Sequence, residues 1–202
     1  MTELYPYAAA ACGVLHNVFY HKPTPAFLAE LSDSGLLDQW PDLGTPTGAA
    51  IAQVKASLAQ DDFDTIEREH YRLFIGPGEI AAYPWGSVYT DKENLVFGDT
   101  TVALARFCRE KGVAFELAHR EPEDHIGLIL ALLGQLFEQQ DQAGVTDLLT
   151  HHLLPWSHRF TEAVAREART GYYAGFGDLL ATLLGDWQRR LAITPDPLQL
   201  YK

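Results

Sequence analysis

The densest run of chemically able side chains is Glu121-Pro122-Glu123-Asp124-His125, three carboxylates and an imidazole within five residues. Such groups serve general acid–base catalysis, which needs one of them within hydrogen-bond reach of the proton it moves. Pro122 suits the first position of a helix, where its missing N–H costs nothing. The acids then fall in or beside the first turn of that helix, where the dipole and the free N–H groups favour negative charge. Capping accounts for them without any reaction. As a catalytic pair, Asp124 and His125 meet a further obstacle: neighbours on a helix point about 100° apart, so they flank a pocket rather than face each other.

A second set, His151, His152 and His158 with Glu162, has metal-ligating types. It lacks the His-Glu-x-x-His spacing of a helical zinc site, and Pro155 between these histidines argues for a helix break. Cys12 and Cys108 are the two cysteines and show no Cys-x-x-Cys spacing, so they read as free buried thiols and not as a metal or disulfide framework. No Gly-x-Ser-x-Gly elbow is present. The glycine-rich Gly171–Gly177 run has no lysine where a phosphate loop needs one, and it reads as a turn before the last helix. A hydrolase or metal-dependent protein built on Asp124, His125 and the later histidines stands as an alternative reading, without a motif to carry it.

Binding offers more. Between Gly76 and Gly98 the chain carries Pro77, Gly78, Pro84 and Gly86, interleaved with Tyr83, Trp85 and Tyr89. This is too long for a simple helix connection, and long loops in compact domains often carry function. The aromatics either pack the underside of the loop or wall a groove for an apolar peptide. Asp91, Glu93 and Asp99 supply an acidic rim beside it, with Glu121 and Glu123 available to extend it. An apolar floor with an acidic rim suits a peptide with a basic end and a hydrophobic stretch.

The whole chain has the same bias. Of its 202 residues, 27 are acidic and 15 basic, a formal net charge of -12. Nucleic acid phosphates and an anionic membrane surface would repel it, whereas a basic peptide would be drawn in faster at low salt. Hydrophobic residues make up 47%, enough for a sizeable core, and the length suits one domain over 1–202. Ala8–Gly13 resembles a lipoprotein cleavage box, but Glu3 stands where positive charge belongs and the first basic residue is Lys22. We therefore expect no signal peptide, no membrane insertion and a cytoplasmic protein.

The elements that must position these groups read as helices. Thr24-Pro25 and Thr45-Pro46 each set a hydroxyl cap before a first-turn proline. Asp64 with Glu67 has capping-box spacing, Asp99-Thr100 opens another helix, and Lys111-Gly112 closes it. Ile126, Ile129, Leu130, Leu133 and Phe137 line one helical face while Leu128, Leu132 and Leu136 cover a second, the mark of a central helix. Phe176, Leu179, Leu180, Leu183, Leu184, Trp187 and Leu191 form a last stripe, and a first helix begins near Tyr5. Strand signals are confined to Val88–Thr90 and Leu95–Phe97. The expectation is an all-α bundle of roughly eight to ten helices with one long irregular loop over 76–98.

Three segments, in this order and spacing, resemble the TorD/DmsD family of redox-enzyme maturation chaperones. They are Tyr71–Pro77 (Tyr-Arg-Leu-Phe-Ile-Gly-Pro), Pro84–Tyr89 running on through Asp91 to Leu95–Asp99, and Glu121–Gly127. The similarity extends through Leu154-Pro155-Trp156-Ser157 and the last helix, and within the family the pattern resembles DmsD most. The resemblance implies an all-helical fold and no enzyme activity. It implies binding of the twin-arginine leader of a molybdopterin oxidoreductase, dimethyl sulfoxide reductase-like, and shielding of that leader from export until the cofactor is inserted. The leader-binding residues it implies are Leu73, Phe74, Trp85, Tyr89, Gly98, Pro122, Asp124 and His125. Contact with Tat translocase components also comes with the family, as does a link to GTP, for which the chain has no motif. Close relatives carry tryptophan where this chain has His70, Gly78 and Tyr89, so the groove here is less aromatic and the client is open to another molybdoenzyme. A scaffold that packs on a folded reductase subunit is the other binding alternative.

Overall fold

The computed structural model describes residues 4–40, 46–115 and 121–202. Among the described residues ten α-helices follow one another: α1 Leu4–Tyr20, α2 Pro25–Asp33, α3 Gly48–Gln60, α4 Phe63–His70, α5 Gly86–Thr90, α6 Asp99–Glu110, α7 Ile126–Glu138, α8 Gln142–Asp147, α9 Leu154–Glu167 and α10 Gly171–Arg190. A π-helical turn, Tyr71–Ile75, prolongs α4, and another, Leu148–Leu153, joins α8 to α9. There is no strand among the described residues, so the all-α expectation holds. Val88–Thr90 lies in α5 and Leu95–Phe97 in an exposed turn. The stretch expected as one irregular loop, 76–98, thus holds a short helix.

The caps follow the sequence in part. Thr24 Oγ1 accepts from Phe27 N at 3.2 Å and Pro25 opens α2 as expected. Helix α3 starts two residues after Pro46: Thr47 already has a helical backbone and precedes Gly48, while Thr45 lies outside the described residues. At α4 the cap is Asp62, extended at ψ 164° and accepting from Thr65 N at 2.8 Å; Asp64 sits in the first turn. Gly112 closes α6 with φ 68°, a left-handed turn that glycine takes without strain.

Two compact units share the chain: residues 1–20, 84–159 and 188–202 in one, 21–83 and 160–187 in the other. The first is organised on α7, ten of whose thirteen residues are buried, as its two apolar faces require. Helix α1 lies against it by close backbone approach. A Cβ on Gly127 would fall 2.6 Å from Tyr20 Cβ, and one on Gly134 would fall 3.2 Å from Cys12 Cβ. Cys12 is fully buried there, and burial drives its thiol well above the ordinary range. The run resembling a lipoprotein box is therefore helix interior. His16 on α1 ties in through Nδ1 to Gly127 O at 2.8 Å. Pro155 breaks nothing: the wide turn before it bonds Leu154 N to Leu149 O, and a proline at the second residue of α9 forfeits an amide that helix starts do not use.

The second unit uses the same device. The glycines of 171–177 do not form a turn but open α10, and a Cβ on Gly175 would meet Val54 Cγ2 at 2.6 Å and Ala50 O at 2.8 Å. These glycines let α10 press onto α3. Glu69 anchors the start of that helix. Only 5% exposed, it accepts from Thr170 N at 2.8 Å and from Arg169 N, and pairs with Arg72 at 3.1 Å. Beside it His70 Nδ1 meets the Tyr173 hydroxyl at 3.0 Å. Burial, helped by Lys22, lowers the His70 imidazole to about 4.

Replacing Glu69 with Ala leaves the Arg169 and Thr170 amides without their acceptor, while Arg72 keeps Glu167; urea denaturation is expected to show a loss of about 1–3 kcal/mol for each stranded amide. His70 gives a pH dependence. Its folded pKa lies below the ordinary 6.5, so the unfolded chain binds more protons between those values. The stability His70 contributes is full above pH 6.5 and declines as pH falls toward 4, by about 3 kcal/mol. His70→Gln should flatten that part of the stability–pH curve, and an unchanged slope would show that other groups set it.

Candidate functional site

The sequence singles out two segments of the first unit, and the structure joins them. Residues 84–86 and 124–126 run antiparallel as an isolated bridge between Trp85 and His125. Ile126 N donates to Pro84 O at 2.7 Å and Gly86 N to Asp124 O at 3.1 Å. This brings the Trp-Gly loop and the acidic segment side by side.

The acids lie beside the first turn of the central helix and not in it. Pro122 starts a tight turn in which its carbonyl accepts from His125 N at 3.2 Å, and α7 begins only at Ile126. The cap is His125, whose Nδ1 accepts from Gly127 N at 3.1 Å. An Nδ1 used as acceptor carries no proton, so Asp124 and His125 do not form the dyad of a hydrolase. Asp124 is 2% exposed, and its Oδ2 accepts from Ser87 N at 2.5 Å in the first turn of α5. That turn is where a carboxylate is favoured, so the acid caps a helix other than the one the sequence assigned to it.

Trp85 lies at the half-exposed edge. Its indole Nε1 donates to Glu121 Oε1 at 2.5 Å, and its ring meets His125 edge-on at 5.8 Å, which meets Tyr20 in the same way at 5.2 Å. Burial raises the Glu121 carboxyl, with Asp124 adding to the effect and the indole hydrogen bond opposing it. Behind this edge, Tyr89 stacks on Trp156 at 5.9 Å and Gly86 lies so close to that indole that a Cβ would fall 2.6 Å away.

The expected residues divide by exposure. Tyr89, Pro122, Asp124 and His125 are buried, Trp85 and Gly98 half-buried. Of the expected rim, Glu93 and Asp99 are exposed while Asp91, Glu121 and Glu123 are half-buried. Leu73 and Phe74 belong to the second unit, where Leu73 is fully buried and Phe74 packs edge-on to Tyr173 at 5.4 Å. Sequence reasoning passed over Ser87, Tyr20 and the supporting role of Trp156. A small residue after the glycine of the Trp-Gly pair was the available hint for Ser87; nothing local marked Tyr20. The departures from tryptophan also have local reasons. Gly78 has φ 100°, a backbone that would strain an L side chain, and His70 is spoken for by Tyr173.

Among the described residues no three His, Cys, Asp or Glu side chains gather as a metal site. His151 instead meets Asp196 at 2.6 Å and Asp147 at 3.3 Å. No helix among them is long and apolar enough to cross a membrane.

Comparison with known proteins decides the family. The Nitrate reductase delta subunit family matches residues 41–162, more than half of the chain. The chain belongs to this family. It is 36% identical to the Tat proofreading chaperone DmsD of Salmonella typhimurium, over 92% of this chain and 91% of that one. It is 25% identical to the chaperone protein TorD of Aliivibrio fischeri, over 78% and 76% respectively. A solved structure of a candidate redox enzyme maturation protein from Archaeoglobus fulgidus superposes with a TM-score of 0.61 at 20% identity, covering 88% of this chain and 93% of that one, which supports the fold. The TorD/DmsD resemblance drawn from the three segments is therefore correct, and the chain is a chaperone of this family and not a catalyst.

Asp124→Ala removes the acceptor for the buried Ser87 amide. It is expected to cost about 1–3 kcal/mol in thermal or urea unfolding and to loosen α5, visible as faster amide exchange at Ser87. Protection of that amide equal to the wild type would refute the tie.

Proposed function

We propose that the whole chain, 1–202, acts as a single cytoplasmic chaperone domain that binds the twin-arginine leader of a molybdopterin oxidoreductase catalytic subunit. It holds that leader back from export until the cofactor is inserted and the subunit folded. The observation that carries this is 36% identity, over nearly the full length of both chains, to a Tat proofreading chaperone. The net charge of -12 and the Trp85–Glu121 edge support it, since a leader begins basic and continues apolar.

On this reading the leader meets the half-exposed residues Trp85, Gly98 and Glu121, with Glu123, Asp91, Glu93 and Asp99 as the acidic rim. Tyr89, Pro122, Asp124 and His125 shape the site from behind by holding the bridge and α5. Leu73 and Phe74 enter only through the resemblance. Contact with Tat translocase components is part of the proposal. The client is a molybdoenzyme of the dimethyl sulfoxide, trimethylamine N-oxide or nitrate reductase kind. GTP has no support from the relatives or the site and has no part in this reading.

Calorimetric titration with synthetic twin-arginine leaders, against a scrambled peptide, tests it. One leader should bind saturably, and Trp85→Ala should weaken binding by about 2 kcal/mol with the fold intact. Binding to a folded reductase lacking its leader, with no binding to any leader peptide, would favour the scaffold instead.

A further inference from the structure

Eight large apolar side chains are exposed among the described residues, and four of them fall within 95–102: Leu95 at 55%, Val96 at 42%, Phe97 at 45% and Val102 at 65%. Val102 N donates to Gly98 O at 3.2 Å, which places Val102 one helical turn above the end of the 95–97 run. Scattered exposed apolar residues need no explanation, but a cluster does.

The cluster is held outward by a built turn. Asp91 Oδ1 accepts from Glu93 N at 2.8 Å and from Leu95 N at 3.2 Å. Asn94 N donates to Asp91 O at 3.1 Å and its side-chain amide to Val88 O at 2.8 Å. Within this turn two residues other than glycine sit in the left-handed region, Asn94 at φ 55° and Phe97 at φ 63°. That is uncommon for an aromatic residue and unfavourable in itself. The chain thus accepts backbone strain to keep three consecutive apolar side chains at the surface.

The charges around this knuckle point to its occupant. Asp91, Glu93 and Asp99 flank it, with Lys92 as the single base between 91 and 102. A second copy of this chain would bring the same acidic flank and a net charge of -12, so self-association here is opposed by repulsion. An anionic membrane is opposed in the same way. A peptide in which cationic residues directly precede an apolar stretch matches both features at once.

Resting on the leader-binding reading, we propose that the knuckle 95–97 with Val102 is the docking surface for the arginine–apolar junction of the leader. Leu95, Val96 and Val102 receive the apolar stretch, and Glu93 and Asp99 face the arginines. This surface lies on the open side of α6 and uses none of the buried residues of the Trp85–Asp124 site.

The test titrates the full chain and its Leu95→Ser/Val102→Ser variant with a synthetic leader containing the twin arginines and its apolar stretch, and with the same leader after that stretch is replaced by serines. Both substituted side chains are exposed, so the variant should melt within about 2 °C of the wild type. Its affinity for the intact leader should fall roughly tenfold or more, and it should lose little further with the serine-substituted peptide. Wild-type binding with an unchanged variant overturns the knuckle while leaving the leader reading in place. Loss of a dimer in the variant, with leader affinity unchanged, assigns the surface to a second copy and overturns it too. No leader binding by the wild type removes both readings. If the variant is unstable, Glu93→Gln/Asp99→Asn replaces it, and the salt dependence of leader binding should then weaken; an unaltered salt dependence counts against the proposal.

Discussion

The Asp124 carboxylate is all but removed from water, yet it accepts the Ser87 amide at 2.5 Å. Stranding the buried Ser87 amide that this acid accepts from would cost about 1–3 kcal/mol, so the acid, the first turn of α5 and the turn that starts at Pro122 are fixed together. The rest of the site follows from this tie. It sets residues 84–86 against 124–126, and this bridge puts the Trp85 indole where Glu121 can accept from it. His125, next in the chain, turns its Nδ1 toward α7. The carboxylate and the two backbone hydrogen bonds of the bridge thus join two segments nearly forty residues apart in sequence.

Close approach is the second constraint. Gly86 faces the Trp156 indole and Gly127 faces Tyr20, each at a distance that a methyl group could not share. Both glycines lie within one or two residues of Ser87, Asp124 or His125. The positions that must stay small are therefore the ones flanking the tie, and α1 and α9 meet the site through these contacts. A side chain at either position would displace the bridge before it touched any ligand. In the second unit Gly171 and Gly175 play the same part for α10 on α3, with Glu69 covering the amides that a helix start leaves open.

Much of the architecture was legible because it is periodic. The two apolar faces of α7 and the stripe from Phe176 to Trp187 repeat at helical spacing, and burial follows that spacing. What escaped was non-local. A run such as Gly171–Gly177 reads as a turn when its neighbours are unknown; only Ala50 and Val54, more than a hundred residues earlier, show that it is a helix flattened to fit another. Pro155 reads as a break because the π turn that accommodates it leaves no mark in composition. The acids of 121–124 were recognised as helix-capping groups, but Asp124 caps α5, which precedes it by more than thirty residues, and no local rule names that partner. The residues of the candidate site were reachable through family resemblance, whereas their division into buried supports and half-exposed edge required the coordinates.

That division bears on how a holding chaperone releases its client. Exposed ion pairs contribute little at equilibrium, about 0–1 kcal/mol each, and salt screens them. Acids at the surface therefore act mainly on the rate of encounter with a basic peptide. The apolar contacts determine how long the peptide stays. On the proposed reading, the Asp124–Ser87 tie sealed inside the protein would leave little of the chaperone to be ordered on binding. On the same reading, an acidic edge beside an apolar contact would give fast capture with reversible retention. A deeper groove would hold such a peptide longer and slow its release.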